Sequence, residues 1–405
     1  MSWEYKTLDQ LGEVSRGRSK HRPRNDPSLF GGEYPFIQTA DVKAANFYIT
    51  EYDTTYNEKG LAQSKLWHPG TLCITIAANI ADTGILAMDA CFPDSVMGFI
   101  PYDEVADVRF VKYCFDILQQ NCKKISQGAA QDNLSWEKLS TILFPAPPVA
   151  VQKKIADILS SFDDLIENNQ KQIKLLEETA QRLYKEWFVD LRFPGYENTP
   201  IVDGVPEGWK YRPLSEVFDF VRGKSYSSKE LSDTTGVLMV NLKNIRPFGG
   251  YNRSAEKRFT GQFKENQTLT AGDVVMGVTD MTQERRLVGH VALVPDMGEA
   301  MTFSMDLIKI IPKLANRLFI YSALYYGGLS KQISPLANGV NVLHLKPEAM
   351  MGIEMLIPCT EILRIYHDQI APIIARIEVL QKQCNIAAEA RDRLLPKLMN
   401  GEIEV

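Results

Sequence analysis

Apolar positions along the chain alternate between two periods. Residues 148–188 set Val151, Ile155, Ile158, Phe162, Leu165, Ile173, Leu176, Ala180, Leu183 and Trp187 on one row, interrupted only by Asn169. Asp163, Asp164, Glu167, Lys171 and Glu178 lie off that row. The spacing is close to 3.6 and predicts one amphipathic helix. Pro147 and Pro148 stand at its start, and Pro194 lies just past its end. Some 41 residues at about 1.5 Å each give a rod of roughly 60 Å, too long for one core to cover. It therefore calls for a partner helix. A second stripe, Ile370, Ile373, Ile377, Leu380, Cys384 and Ala387, steps by threes and fours as a coiled-coil seam does, and Leu394 and Leu398 extend it after one loose step. Pro372 warns of a kink or a late start. The two stripes predict an antiparallel pair.

Elsewhere the period is shorter. "GTLCITIAA" (Gly70 to Ala78), "GDVVMGV" (Gly272 to Val278), "HVALVP" (His290 to Pro295) and "DLIKIIP" (Asp306 to Pro312) are β-rich runs bounded by Gly and Pro. Long polar loops, around Tyr56 to Gly60 and from Ser126 to Ser135, separate such runs and are natural carriers of recognition. Trp3–Ser19 set over Trp209–Ser225 matches Trp3 with Trp209, Tyr5 with Tyr211, Leu8 with Leu214, Arg16 with Arg222, Gly17 with Gly223 and Ser19 with Ser225. Pro69–Leu72 then falls against Ala271–Val274, and "ILFP" (Ile142 to Pro145) against "MLIP" (Met355 to Pro358). One module of about 205 residues is thus written twice. The expected fold class is α+β: two tandem α+β domains (1–147 and 194–357), joined by two long antiparallel coiled-coil helices (148–193 and 358–405). The stretch Tyr184–Glu197 closes the first copy and opens the second.

Composition narrows the function. With 405 residues, 45% apolar and 23% charged, the chain has material for two or three domains. No window approaches the roughly 18 apolar residues of a membrane span, and "MSWEYKTLDQ" lacks the layout of a signal peptide, so a cytoplasmic protein is expected. Cys73, Cys91, Cys114, Cys122, Cys359 and Cys384 form no Cys-x-x-Cys pair and read as reduced thiols. A net charge of −5 argues mildly against nucleic acid, yet local patches differ from the sum. Ser15–Arg24 holds Arg16, Arg18, Lys20, Arg22 and Arg24 with no acid. A weaker patch, Lys243–Arg258, sets Lys243, Arg246, Arg253, Lys257 and Arg258 against Glu256 alone. Either patch alone reads as solvated surface; a basic patch in each copy is what points to nucleic acid.

Catalytic patterns are missing. There is no Gly-x-Gly-x-x-Gly; "RGKS" (Arg222 to Ser225) has Phe218 where a phosphate loop needs its first Gly; "FPAPPV" (Phe144 to Val149) is not an adenine-methyltransferase tetrad. His21, His68, His290, His344 and His367 are dispersed, without metal-ligand spacing, and Asp163–Asp164 falls on a helix face expected to be solvated. The residues alone describe a binding protein, or a subunit that lends binding to others.

"QKKIADILSSFDDLIENNQ" (Gln152 to Gln170), "LLPKLMNGEIEV" (Leu394 to Val405) and the loop "GAAQDNLS" (Gly128 to Ser135), in this order of variable and helical regions, resemble the DNA-specificity subunit of Type I restriction-modification enzymes over the whole chain. The second copy of that loop, "NGVNVLHL" (Asn338 to Leu345), departs from it in most positions. The resemblance implies a non-catalytic subunit with no cofactor or metal of its own. Each α+β domain would be a target-recognition domain that reads half of a bipartite, asymmetric site in double-stranded DNA. The helices would space the domains and dock two modification subunits, which use S-adenosylmethionine to methylate an adenine flipped from the duplex. Restriction subunits, which use ATP and magnesium, join optionally. Half-sites about one turn, or about 34 Å, apart would then share one face of the duplex.

On this reading Arg16, Arg18, Lys20, Arg222 and Lys224 are candidates for phosphate contacts. Gln38, Thr39, Asn79, Gln131 and Asn133 in the first copy, and Asn241, Asn244, Asn338 and Asn341 in the second, are candidates for base edges, although such residues also serve turns. Leu159, Ile166, Leu175, Tyr184 and Phe188, beside the main helical row, are the candidate partner-binding patch. A stand-alone tandem DNA-binding regulator and a coiled-coil scaffold remain as alternatives.

Overall fold

The structure is a computed structural model describing residues 3–76, 82–125, 136–253 and 257–405. Two units make up the chain: Met1–Lys171 with Gln381–Val405, and Gln172–Leu380. In chain order the main elements of the first are β1 (Glu4–Lys6), α1 (Leu8–Leu11), β2 (Gly12–Arg16), β3 (Tyr48–Ile49), β4 (Leu72–Thr75), β5 (Thr83–Leu86), β6 (Val96–Pro101), α2 (Val108–Ile125), β7 (Phe144–Ala146) and the start of α3 (Val149–Phe188). Five strands form a sheet in the order β2, β6, β4, β5, β3, antiparallel except for the last pair. Side chains along β4 divide by the period of two: Leu72 and Ile74 join a core with Phe110 and Tyr113 of α2, while Cys73 joins Ile37, Trp67 and Phe92 on the other face. Both faces are covered, so every residue of the strand is buried.

The second unit repeats the plan with the rest of α3, β8 (Lys210–Pro213), α4 (Leu214–Val217), β9 (Phe218–Arg222), β10 (Val274–Gly277), β11 (Thr279–Asp280), β12 (Val291–Leu293), β13 (Leu307–Pro312), α5 (Arg317–Tyr325), β14 (Leu343–His344), β15 (Glu354–Ile357) and the start of α6 (Thr360–Met399). Its sheet runs β9, β13, β10, β12, matching β2, β6, β4, β5. β1 pairs with β7 as β8 pairs with β15. Gly70 and Gly272 both take positive φ, 85° and 79°, just before β4 and β10, a conformation suited to glycine. β2 and β9 end alike on Arg-Gly, and a β-carbon on Gly17 or Gly223 would lie 2.3 Å from the Pro93 carbonyl oxygen or 2.0 Å from that of Ser304. Glycine at both positions is therefore a packing requirement.

One sequence alignment needs correction. Lys6 faces Phe144, and the equivalent Arg212 faces Met355, so Phe144 corresponds to Met355. The "ILFP" and "MLIP" stretches are thus shifted by two residues from their match by letters. A two-residue shift preserves the face of a strand, and both Phe144 and Met355 are buried.

α3 and α6 each run 40 residues, and the helix continues through Pro372 from Thr360, with no late start. In the first unit Ile155, Ala156 and Leu159 of α3 and Leu395, Leu398 and Met399 of α6 complete the core. In the second, Ala180, Tyr184, Trp187 and Phe188 of α3 and Ile362, Leu363, Tyr366 and Ile370 of α6 do so. Of the predicted row on α3, Ile155, Ile173, Ala180 and Trp187 are buried as expected. Ile158 and Leu165 are exposed, whereas Leu159, Ile166, Tyr184 and Phe188, the expected partner patch, are buried in their own units; of that patch only Leu175 is open, at 62%. The cause is that the buried stripe includes polar side chains, which a hydrophobic count leaves out: Gln152, Asp163 and Asn169 are all buried.

These polar groups are satisfied inside the first unit. Gln152 donates to the Val105 and Pro147 carbonyls, both at 2.9 Å, and accepts from the Asp107 N–H at 3.1 Å. Asp163, expected to be solvated, accepts a hydrogen bond from the Tyr113 hydroxyl at 2.5 Å and a charged one from Arg391 of α6. Asn169 donates to Gln383 at 3.3 Å. Burial and the Asp163 charge raise the Tyr113 phenol far above its usual range, so it stays a donor. Arg391→Leu would leave the Asp163 carboxylate buried without its counter-charge and is expected to cost about 3 kcal/mol. The triple change Tyr113→Phe, Asp163→Leu and Arg391→Leu removes charge and partners together and should cost less; urea unfolding of both variants checks the order.

Candidate nucleic-acid interface

In the first unit β2 delivers Arg16 to an exposed strand end, and the extended segment after it carries Arg18 and Lys20, also exposed. These three cations have no ion pair among the described residues. Their backbone is fixed: the Gly17 N–H donates to the Val96 carbonyl at 2.8 Å, the Arg18 N–H to that of Phe92 at 2.9 Å, and the Ser64 hydroxyl to that of Arg18 at 2.8 Å. Farther on, Arg24 pairs with Asp94 at 2.8 Å, and Arg22 turns back onto the Ser19 and His21 carbonyls. The basic run is therefore half committed internally, and its open charge is Arg16, Arg18 and Lys20. Gln38 is exposed at the start of a short helix, where its amide donates to the Thr54 hydroxyl at 3.4 Å, and Thr39 is half-buried beside it. Asn79, Gln131 and Asn133 lie outside the described residues.

The second unit differs. Arg222 makes a forked pair with Glu348 at 2.8 and 2.9 Å, which lowers the Glu348 pKa. Both groups are largely exposed, so the pair is weak and open to exchange. Lys224 is half-buried, with its backbone bridged to Ser304. The Lys243–Arg258 patch is mostly neutralised by acids distant in sequence: Arg253 pairs with Glu378 at 3.4 Å, Lys257 with Asp233 at 3.0 Å, and Arg258 with Glu299 at 2.7 Å. Asn244 is corrected as a base-reading candidate. It is 2% exposed, accepts from the Asn241 N–H at 2.9 Å and donates to the Asn252 carbonyl at 3.0 Å. Asn241 likewise serves the turn, accepting from the Lys243 N–H and donating to the Met239 carbonyl. Both follow the turn chemistry of Asn. Asn338 and Asn341 are exposed on one loop, Asn338 donating to the Leu336 carbonyl at 3.1 Å.

A family model described as the Type I restriction modification DNA specificity domain matches the chain twice, over residues 1–178 and 206–388. The chain belongs to that family. Over its whole length this specificity subunit is 26% identical to the Type I restriction enzyme MjaIX specificity subunit of Methanocaldococcus jannaschii, covering 94% of that protein. The HindI specificity subunit of Haemophilus influenzae is 23% identical, with 97% of this chain and 98% of that one aligned. Its fold is similar to that of the Type I restriction-modification S subunit from M. genitalium, with a TM-score of 0.60 at 15% identity and coverage of 98% and 96%. No helix among the described residues is long and apolar enough to cross a membrane.

Sequence reasoning missed one feature of the second unit of the specificity subunit. β11 and β14 pair, Thr279 with His344 and Asp280 with Leu343, and bring the 281–286 tip beside the 339–342 loop. Asp280 is 1% exposed and anchors the tip. One oxygen accepts from the Thr282 N–H and hydroxyl at 2.8 and 2.9 Å, the other from the Leu287 and Val288 N–H groups at 2.6 and 3.3 Å. The available signal was Asp-x-Thr, an Asx-turn pattern. Burial opposes the charge, but the Leu287, Thr282 and Val288 donors outweigh it and lower the pKa. A lowered carboxylate contributes stability that is complete above its ordinary pKa of about 3.9 and is lost as the pH falls through the folded value. Asp280→Asn replaces an acceptor by a donor facing N–H groups and is expected to cost about 1–3 kcal/mol at pH 7. The gap between variant and wild type should narrow at pH 2 in urea titrations.

Proposed function

We propose that this chain is the DNA-reading, non-catalytic specificity subunit of a Type I restriction-modification complex, one α+β repeat reading each half of a bipartite asymmetric site. The observation that carries the reading is the doubled module, matched twice by a DNA specificity family. Its strand ends Arg16–Gly17 and Arg222–Gly223 are equivalent in position but unlike in charge environment, since among the described residues only Arg222 of the two has an acidic partner. Similar but non-identical readers suit two different half-sites. Arg16, Arg18 and Lys20 supply phosphate contacts, which position without specifying; Arg222 does so after exchanging Glu348 for phosphate.

Two modification subunits dock on the helices and bring S-adenosylmethionine; restriction subunits, when present, bring ATP and magnesium. Exposed apolar side chains support this: Ile158, Leu165 and Ile386 in the first unit, Leu175 and Val379 in the second. The chain acts in the cytoplasm, where its DNA is.

Single-molecule sequencing of host DNA with the gene intact and deleted tests the function. Loss of a bipartite N6-methyladenine motif on deletion is expected; persistence of every motif in a host whose modification subunit is active overturns it. In binding assays with the assembled complex, Arg16→Ala should weaken all sequences alike and reduce the slope of log K against log salt by about 1.

A further inference from the structure

Two loops of the second unit form a braced platform. The tip 281–286 is held from below by the buried Asp280, and the 339–342 loop is closed by backbone hydrogen bonds in both directions between Asn338 and His344, at 3.1 and 2.9 Å. Gly339 at φ 150° is required in that loop, since a β-carbon would stand 1.9 Å from the Val342 carbonyl oxygen. The loops are tied to each other where Gln283 Nε2 donates to the Val340 carbonyl at 2.6 Å.

From this platform project Val340, 87% exposed, and Met281, 69% exposed, the most exposed large apolar side chains among the described residues. One such residue on a loop is ordinary. Two, on loops that are tied to each other, form a presented surface. Arg285 and Arg286 lie in the same tip, and the carbonyl of Arg286 accepts the N–H of Phe248, itself 58% exposed. Arg286 pairs with Glu284 of the same tip, an exposed ion pair open to exchange with phosphate, and an apolar surface so flanked matches the floor and walls of a DNA groove.

The chemistry narrows the match. The bond to Val340 uses one amide proton of Gln283 and leaves the second proton and Oε1 as a donor and an acceptor. Adenine offers the complementary N7 acceptor and N6 donor in the major groove, and the thymine opposite presents its C5-methyl group there. We propose that Gln283, Val340 and Met281 read one A·T pair of the half-site, the amide on the adenine edge and the two apolar side chains over the thymine methyl. The inference rests on the DNA-reading role proposed above.

The test uses the full-length chain with its modification subunits and duplexes bearing the motif found by methylation mapping. At each A·T pair in turn, uracil replaces thymine to delete the methyl, and 7-deazaadenine replaces adenine to delete N7. One pair should respond to both, with about fourfold weaker binding for the methyl and about tenfold for N7. Val340→Ala with Met281→Ala should abolish the uracil effect at that pair alone, and Gln283→Ala the 7-deazaadenine effect. If the wild-type complex binds its motif and no pair loses sensitivity in the variants, this inference fails while the functional reading stands. If the complex selects no motif, the functional reading fails and takes this inference with it.

Discussion

A helix of 40 residues carries a buried stripe longer than one small core can cover, and most of the architecture follows from how that stripe is divided. α3 gives Ile155 and Leu159 to one core and Tyr184, Trp187 and Phe188 to another; α6 does the same with Leu395 and Leu398 against Tyr366 and Ile370. Neither α+β unit has its core without residues of both helices. The chain's first and last residues share a unit for this reason: Gly401 lies against Trp3, and Val405 packs on the first core.

Polar groups in the stripe add specificity to that burial. An apolar seam of Leu and Ile tolerates sliding by a heptad, but Asp163 with Arg391, and Asn169 with Gln383, satisfy one another in one register only. Hydrophobic area fixes that the helices pack, and these pairs fix which residues meet. Buried ionic groups retained for register are the best attested use of such pairs.

The loops and strand ends proposed to face DNA are built differently. Their backbones are rigid, held by Gly17 and Gly223 against carbonyl oxygens and by Asp280 beneath its tip, while the side chains they present are open. The first unit presents Arg16, Arg18 and Lys20 on one short arm while cations such as Arg24 and Arg109 are paired internally, a local pattern that a net charge of −5 does not reveal.

The sequence by itself determined the repeat, the four β-rich runs and the two long helices, because each is a matter of local periodicity and turn residues. It also carried the family, through motifs such as Gln152–Gln170 and Leu394–Val405. What it could not assign was orientation. Asp163, Gln152 and Asn169 count as surface residues in any hydrophobic pattern, and only partners from α2, from α6 and from the loop before α3 make their burial favourable. Basic residues 243–258 look like a patch until Glu299, Asp233 and Glu378 fold against them. The pairing of the 281–286 tip with the 339–342 loop joins segments far apart in sequence, so no local signal could bring Gln283 to Val340. Long-range contacts decide such features, and they exist only in the folded chain.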